Sequence, residues 1–150
     1  MSARGSRRDY ASLLVSLTIG AIFFYAGASK LRDPLEFADS IAAFAILPAT
    51  FINLLAMGLP SFEIVCGLLL QVPPARRIAA LATGLVSLVF FGVIVSALLR
   101  GLTIDCGCFG AGAPSRPRMW LELGLDTLLC AGSLFVYLRT SRPSSGWPAA

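Results

Sequence analysis

The chain has 150 residues, a length that suits one domain. Apolar residues make up 57% and charged residues 13%, about half the ~25% charged content of a soluble domain. A net charge of +4 does not signal nucleic-acid binding here, because the basic residues stand in short clusters between long apolar runs, as in an integral membrane protein. The absence of histidine excludes histidine-ligated haem, zinc–histidine sites and a catalytic histidine base.

In chain order, the first apolar run covers Ala11 to Ala28, after Arg4, Arg7 and Arg8. Its basic start and "YAGAS" end share features with a signal peptide, and Arg7–Arg8 with a twin-arginine signal. The run exceeds the ~7–15 residues of a signal core, so it reads as a retained span. Next comes "LEFADSIAAFAILP", Leu35 to Pro48. Leu35, Phe37, Ile41, Phe44 and Leu47 approximate a helical stripe, and Asp33-Pro34 supplies a cap and first turn. This segment is expected to be a short amphipathic helix in the membrane interface, a spacer or a lid over a binding site.

Three further spans are expected at Thr50–Val72, Ile78–Leu99 and Met119–Leu138. Each reaches the ~20 apolar residues that cross a bilayer, where backbone groups must bond internally and helices are the expected form. The fold class is therefore all-α: a membrane four-helix bundle over residues 1–140, whose spans can pair as two hairpins. The tail, 141–150, is rich in Pro, Ser and Gly and is expected to be disordered.

Orientation follows from the basic residues. With both termini in the cytoplasm, seven arginines (4, 7, 8, 76, 77, 139 and 142) lie inside and five basic residues (30, 32, 100, 116 and 118) outside. The loop "TIDCGCFG", Thr103 to Gly110, then faces the extracytoplasmic side of the inner (plasma) membrane.

Cys106 and Cys108 on that loop sit where disulfides form. Gly107 between them permits unusual backbone angles, and two residues so spaced can reach bridging distance. Such a ring is small and strained, hence readily exchanged, and closes too short a loop to add much stability. Arg100, Arg116 and Arg118 flank the pair and favour thiolate, while Asp105 opposes it. A structural bridge and a metal site stay open beside the redox role, which is favoured because incidental cysteines are usually single and buried. Cys66 and Cys130 fall inside spans, so a four-thiolate zinc site is not expected and each reads as a small hydrophobe.

Acids inside spans are costly and often functional. Glu63 follows Pro60 in span two; Glu122 and Asp126 share one face of span four, a turn apart. Each can pair with Lys30 or Arg118 as glue between helices, or be neutral. Alternatively, the acids form a proton path, or Glu63, Glu122 and Tyr25 bind the head group of a quinone cofactor near the outer leaflet. Tyr25 and Trp120 also fit as interfacial anchors.

"FYAGASKLRDP" (Phe24 to Pro34), "ILP" (Ile46 to Pro48), "LPSFEIVCGLLL" (Leu59 to Leu70) and "RGLTIDCGCFG" (Arg100 to Gly110) together resemble the MauE family, methylamine-utilisation membrane proteins related to DoxX. The likeness covers about residues 11 to 138, and Cys-Gly-Cys-Phe-Gly is its most specific part. It implies a four-span helical protein that helps form or transport disulfide-rich periplasmic proteins, notably the methylamine dehydrogenase small subunit, with a thioredoxin-like partner. Cys106 and Cys108 would be the redox pair; Gly27, Lys30, Pro60 and Glu63 would be motif positions without an assigned role.

The expected function is membrane thiol–disulfide exchange with an extracytoplasmic thioredoxin-like partner, linked to quinone by analogy with disulfide-forming membrane proteins of the DsbB type. A non-catalytic assembly or docking subunit is the alternative. A small transporter is a third possibility, for which four spans are few unless the chain forms a homo-oligomer.

Overall fold

The computed structural model of the chain describes residues 3–104 and 115–140, with side chains from Tyr10 onward. Cys106, Cys108 and the tail lie outside the described residues. Five helices follow in order: α1 (Ala3–Arg32), α2 (Pro34–Ala43), α3 (Ala49–Leu69), α4 (Arg76–Leu99) and α5 (Arg116–Thr140). Four of them, α1 from Tyr10 onward, α3, α4 and α5, are long and apolar enough to cross a membrane.

Burial runs opposite to that of a soluble bundle. Leu54, Ile78, Leu99, Leu121 and Leu128 are each at least 69% exposed, while Ser16, Lys30, Glu63, Thr83, Ser87, Glu122 and Ser133 are buried. Hydrocarbon outside and polar groups inside is the arrangement that a bilayer favours, since an ionisable side chain facing lipid is expensive. The chain is a multi-pass membrane protein.

The helices begin up to eight residues before the expected spans, α5 ends two residues later, and three ends differ in ways that shape the interior. Helix α1 runs on past Ala28 to Arg32, which puts Lys30 in its last turn. Helix α3 stops at Leu69 instead of Val72: Gln71 and Val72 turn to carbonyls three residues back ahead of Pro73-Pro74, and Arg76 Nε donates to the Leu70 carbonyl at 3.0 Å. Helix α2 covers ten residues, Pro34 to Ala43, not the whole of 35–48. Its end is a turn in which Ala45 takes φ +50° and its N–H bonds Ala42 O, after which the chain extends through Pro48. Its start is as expected: Asp33 Oδ1 accepts the Glu36 N–H at 3.1 Å, with Pro34 in the first turn.

Helix packing is dominated by two antiparallel pairs, α1 with α3 and α4 with α5. Small residues set the first. A Cβ on Gly27 would lie 2.6 Å from the Pro60 carbonyl oxygen, and one on Gly67 would lie 2.7 Å from the Gly20 oxygen. Such close backbone approach is how helices gain contact in a medium as apolar as their own side chains. In the second pair the Thr83 and Ser133 hydroxyls bond at 3.0 Å.

Two apolar clusters complete the interior. One joins Ile19, Phe23, Leu70, Ala79, Ala80, Leu129 and Val136 across all four spans. The other joins Phe44, Ile94, Ala97, Ile104 and Met119 at the end where α4 stops and α5 begins. The chain segment carrying Cys106 and Cys108 leaves α4 and enters α5 at that end, the same end at which α2 lies.

Candidate functional site

The site grows from the α1–α3 contact. Because Gly27 has no side chain, α1 comes against α3 at Pro60, one turn before Glu63. Lys30 lies one turn beyond Gly27 and reaches the same level. Its Nζ lies 2.8 Å from both Oε1 and Oε2 of Glu63, a two-pronged ion pair with side chains 1% and 3% exposed. Two aromatic rings flank the ammonium: Phe37 of α2 at 5.4 Å and Phe90 of α4 at 5.1 Å, measured to the ring centroids. The rings add cation–π attraction where water is excluded.

Beside the pair is a cavity of about 30 Å³, lined among others by Lys30, Glu63, Ser87, Phe90 and Asp126. This volume is large enough for one water, since about 10–15 Å³ suffices. Ser87 is 1% exposed, and its hydroxyl has no hydrogen-bond partner among the described residues. Asp126 is 8% exposed. Glu122, one turn from it and 3% exposed, has Arg118 Nε 3.7 Å from its Oε1, at the start of α5.

The expected acids thus gather in the bundle interior, where Lys30 pairs with Glu63 and shares a cavity wall with Asp126. Tyr25 stands apart: it is 57% exposed and is not on the wall of the 30 Å³ cavity. Trp120, 62% exposed, is likewise on the outer surface. Cys66 and Cys130 are free thiols, Cys66 buried and Cys130 donating to the Gly84 carbonyl at 3.6 Å. No group of His, Cys, Asp and Glu that would hold a metal occurs among the described residues.

A second, larger feature was not read from the sequence. An apolar crevice of about 500 Å³ lies between α3 and α4 under α2, with Phe37, Ser40, Phe44, Leu85, Val89 and Phe90 on its walls. Phe90 belongs to both cavities, and Phe37 lines the crevice while covering Lys30. Nothing in hydropathy marks such a space, because its walls are the same leucines, valines and phenylalanines that face lipid. The stripe Phe37, Ile41, Phe44 on α2 was the one available signal.

These features define a class: a small four-span helical membrane protein with an ion-paired polar core and an apolar crevice at its cysteine-bearing end. Within that class the chain belongs to the MauE family, whose description is methylamine utilisation protein MauE and whose model matches residues 8–139. It is similar to the methylamine utilization protein MauE of Paracoccus denitrificans, 34% identical over 133 residues, covering 88% of this chain and 67% of that one. The corresponding protein of Methylophilus methylotrophus is 33% identical over 83% of this chain and 62% of its own. That of Paracoccus versutus is 35% identical over 77% and 62%. The chain therefore spans about two thirds or less of the length of these relatives. No solved structure matches it significantly.

Proposed function

We propose that this chain is a membrane thiol–disulfide oxidoreductase serving the maturation of exported, disulfide-containing proteins. Cys106 and Cys108 are its reacting pair. The observation that carries this is the Cys-Gly-Cys sequence itself, two thiols one residue apart on the connection between α4 and α5. Family membership supports it, as do the arginine clusters, whose bias sets that connection on the extracytoplasmic side of the inner membrane.

The chemistry balances in two exchanges. The Cys106–Cys108 disulfide accepts two electrons from the dithiol of a thioredoxin-fold partner through a mixed disulfide. The partner leaves oxidised, and this chain holds two thiols. Those thiols then give two electrons and two protons to a membrane quinone, which becomes the quinol, and their S–S bond forms again. The relatives' names point to methylamine utilisation, and the family resemblance to a methylamine dehydrogenase-type maturation target.

Differential alkylation of Cys106 and Cys108 in native membranes tests this, in a Cys66→Ser, Cys130→Ser background so that only these two thiols report. The pair should cycle: reduced by a thioredoxin-fold dithiol, reoxidised only when quinone is added. A pair that stays oxidised and ignores both reagents would leave a docking or assembly role in its place.

A further inference from the structure

The geometry points to the crevice under α2 as the binding site for the lipid-soluble quinone, with Phe37, Phe44 and Phe90 bearing on its ring and Ser40 donating to a ring carbonyl. This inference rests on the function proposed above and moves the quinone away from the Glu63, Glu122 and Tyr25 positions expected from sequence.

Four observations support it. First, size and lining fit: about 500 Å³ falls within the ~300–1,000 Å³ range of small-molecule sites, and the walls are almost wholly apolar. Second, there is access from lipid. Leu85 and Val89 on the crevice wall are 54% and 65% exposed on the outer, lipid-facing surface, whereas Phe37 and Phe44 deeper in are 4% and 8% exposed. A lipid-soluble molecule enters sideways, without crossing water.

Third, the wall includes one hydroxyl-bearing residue, Ser40. Ser61 and Thr127 each bond a carbonyl four residues back on their own helix. Ser40, on the crevice wall, has no hydrogen-bond partner among the described residues. An acyl chain uses apolar walls alone; a quinone carbonyl uses that hydroxyl as well. Flat phenyl faces suit an aromatic ring, which gains from offset stacking beyond simple burial.

Fourth, the crevice is tied to the cysteine segment. Arg100, just past α4, donates from Nη2 to the Phe44 carbonyl at 2.5 Å. Ile104, immediately before the cysteine loop, packs in the same cluster as Phe44. The roof of the crevice and the start of the redox loop are therefore one packed unit. The polar cavity holding Glu63 and Asp126 is a single-water space by comparison, too small for a ring.

The test combines labelling with kinetics in the full-length protein in liposomes. A photoreactive azido-benzoquinone with an isoprenoid tail should label peptides of α2 and α4 that carry Phe37 to Phe44 and Leu85 to Phe90. Val89→Trp, which fills the crevice from its exposed wall, should raise the quinone KM for reoxidation of Cys106 and Cys108 about tenfold, equivalent to about 1.4 kcal/mol of lost binding. Leu88→Trp, equally lipid-facing on α4 but off the crevice wall, should not. Ser40→Ala should raise KM in the same direction, with reoxidation by a water-soluble oxidant unchanged.

If quinone reoxidises the wild type and Val89→Trp behaves like Leu88→Trp, the crevice is not the site. If quinone does not reoxidise the wild type, the proposed electron acceptor fails, and the crevice is judged by labelling alone. Labelling of the α2 and α4 peptides, competed by unlabelled quinone, then upholds it as a quinone site. Labelling elsewhere, or recovery of phospholipid as the one competing occupant, overturns it.

Discussion

Lys30 of α1 grips both carboxylate oxygens of Glu63 of α3 at 2.8 Å, deep in the bundle and between two phenylalanine rings. The pair ties the first helix to the second span at a level where both side chains are buried from the outside. Attraction there offsets a desolvation cost of several kcal/mol per ion, so the balance depends on both partners being present.

Removing one partner should therefore cost far more than removing both. Lys30→Met leaves the Glu63 carboxylate buried beside Phe90 and should destabilise the protein by about 3–5 kcal/mol. The double variant Lys30→Met, Glu63→Leu should recover most of that loss. Thermal unfolding in detergent, followed by fluorescence-detected size exclusion, reads the difference; equal losses for single and double variants would mean that the pair carries no coupling.

The α1–α3 contact depends on missing side chains. Gly27→Ala puts a methyl 2.6 Å from the Pro60 oxygen, a backbone atom that cannot swing aside. Overpacking of this kind should cost about 1–3 kcal/mol and loosen the Lys30–Glu63 pair beside it. Gly58→Ala and Gly92→Ala meet nothing within 4 Å and should be close to neutral in the same melting assay.

Two buried serines should respond in opposite ways. Ser133 bonds Thr83, so Ser133→Ala should cost about 0.6 kcal/mol, the average for an interhelical bond in a membrane protein. Ser87 has no partner among the described residues, so Ser87→Ala should be neutral or stabilising, by up to about 1 kcal/mol. A loss above that for Ser87→Ala would show its hydroxyl bonded to a water in the 30 Å³ cavity.

The cysteines should divide by position. Cys66→Ala and Cys130→Ala, at sites where the thiols are free and held within the bundle, should leave disulfide exchange with a thioredoxin-fold partner unchanged. Cys106→Ser or Cys108→Ser should abolish it, since either removes the ring. Trapping the mixed disulfide on non-reducing gels checks this: given the partner in its disulfide form, the remaining Cys106 thiolate of Cys108→Ser should attack it and be held as a mixed disulfide, with the partner's leaving thiol released. Exchange that survives in both loop variants would remove the loop from the chemistry.

Much of the architecture is written along the chain. Length and hydropathy mark the four spans because the bilayer imposes about 20 apolar residues on any helix that crosses it. The Asp33-Pro34 cap is equally local: one side-chain oxygen meets a backbone N–H three residues on. Glu63, Glu122 and Asp126 stand out as candidate interior groups because a carboxylate in hydrocarbon demands a reason.

Pairing and enclosure are different. Three acids compete for Lys30 in the sequence, and the rotation of α1 against α3, set by the Gly27–Pro60 approach, brings it onto both carboxylate oxygens of Glu63. The same rotation turns Tyr25 outward, 57% exposed, away from the acids. A helix that is apolar on nearly every side carries no strong periodicity to say which side faces its neighbours. The crevice under α2 exists because α1 and α3 pack closely, as do α4 and α5, while α3 and α4 are held apart under the α2 roof. Hydropathy therefore determined that this chain spans the membrane, and how often; contacts between residues far apart in sequence decided which charges meet and where space is left for a ligand.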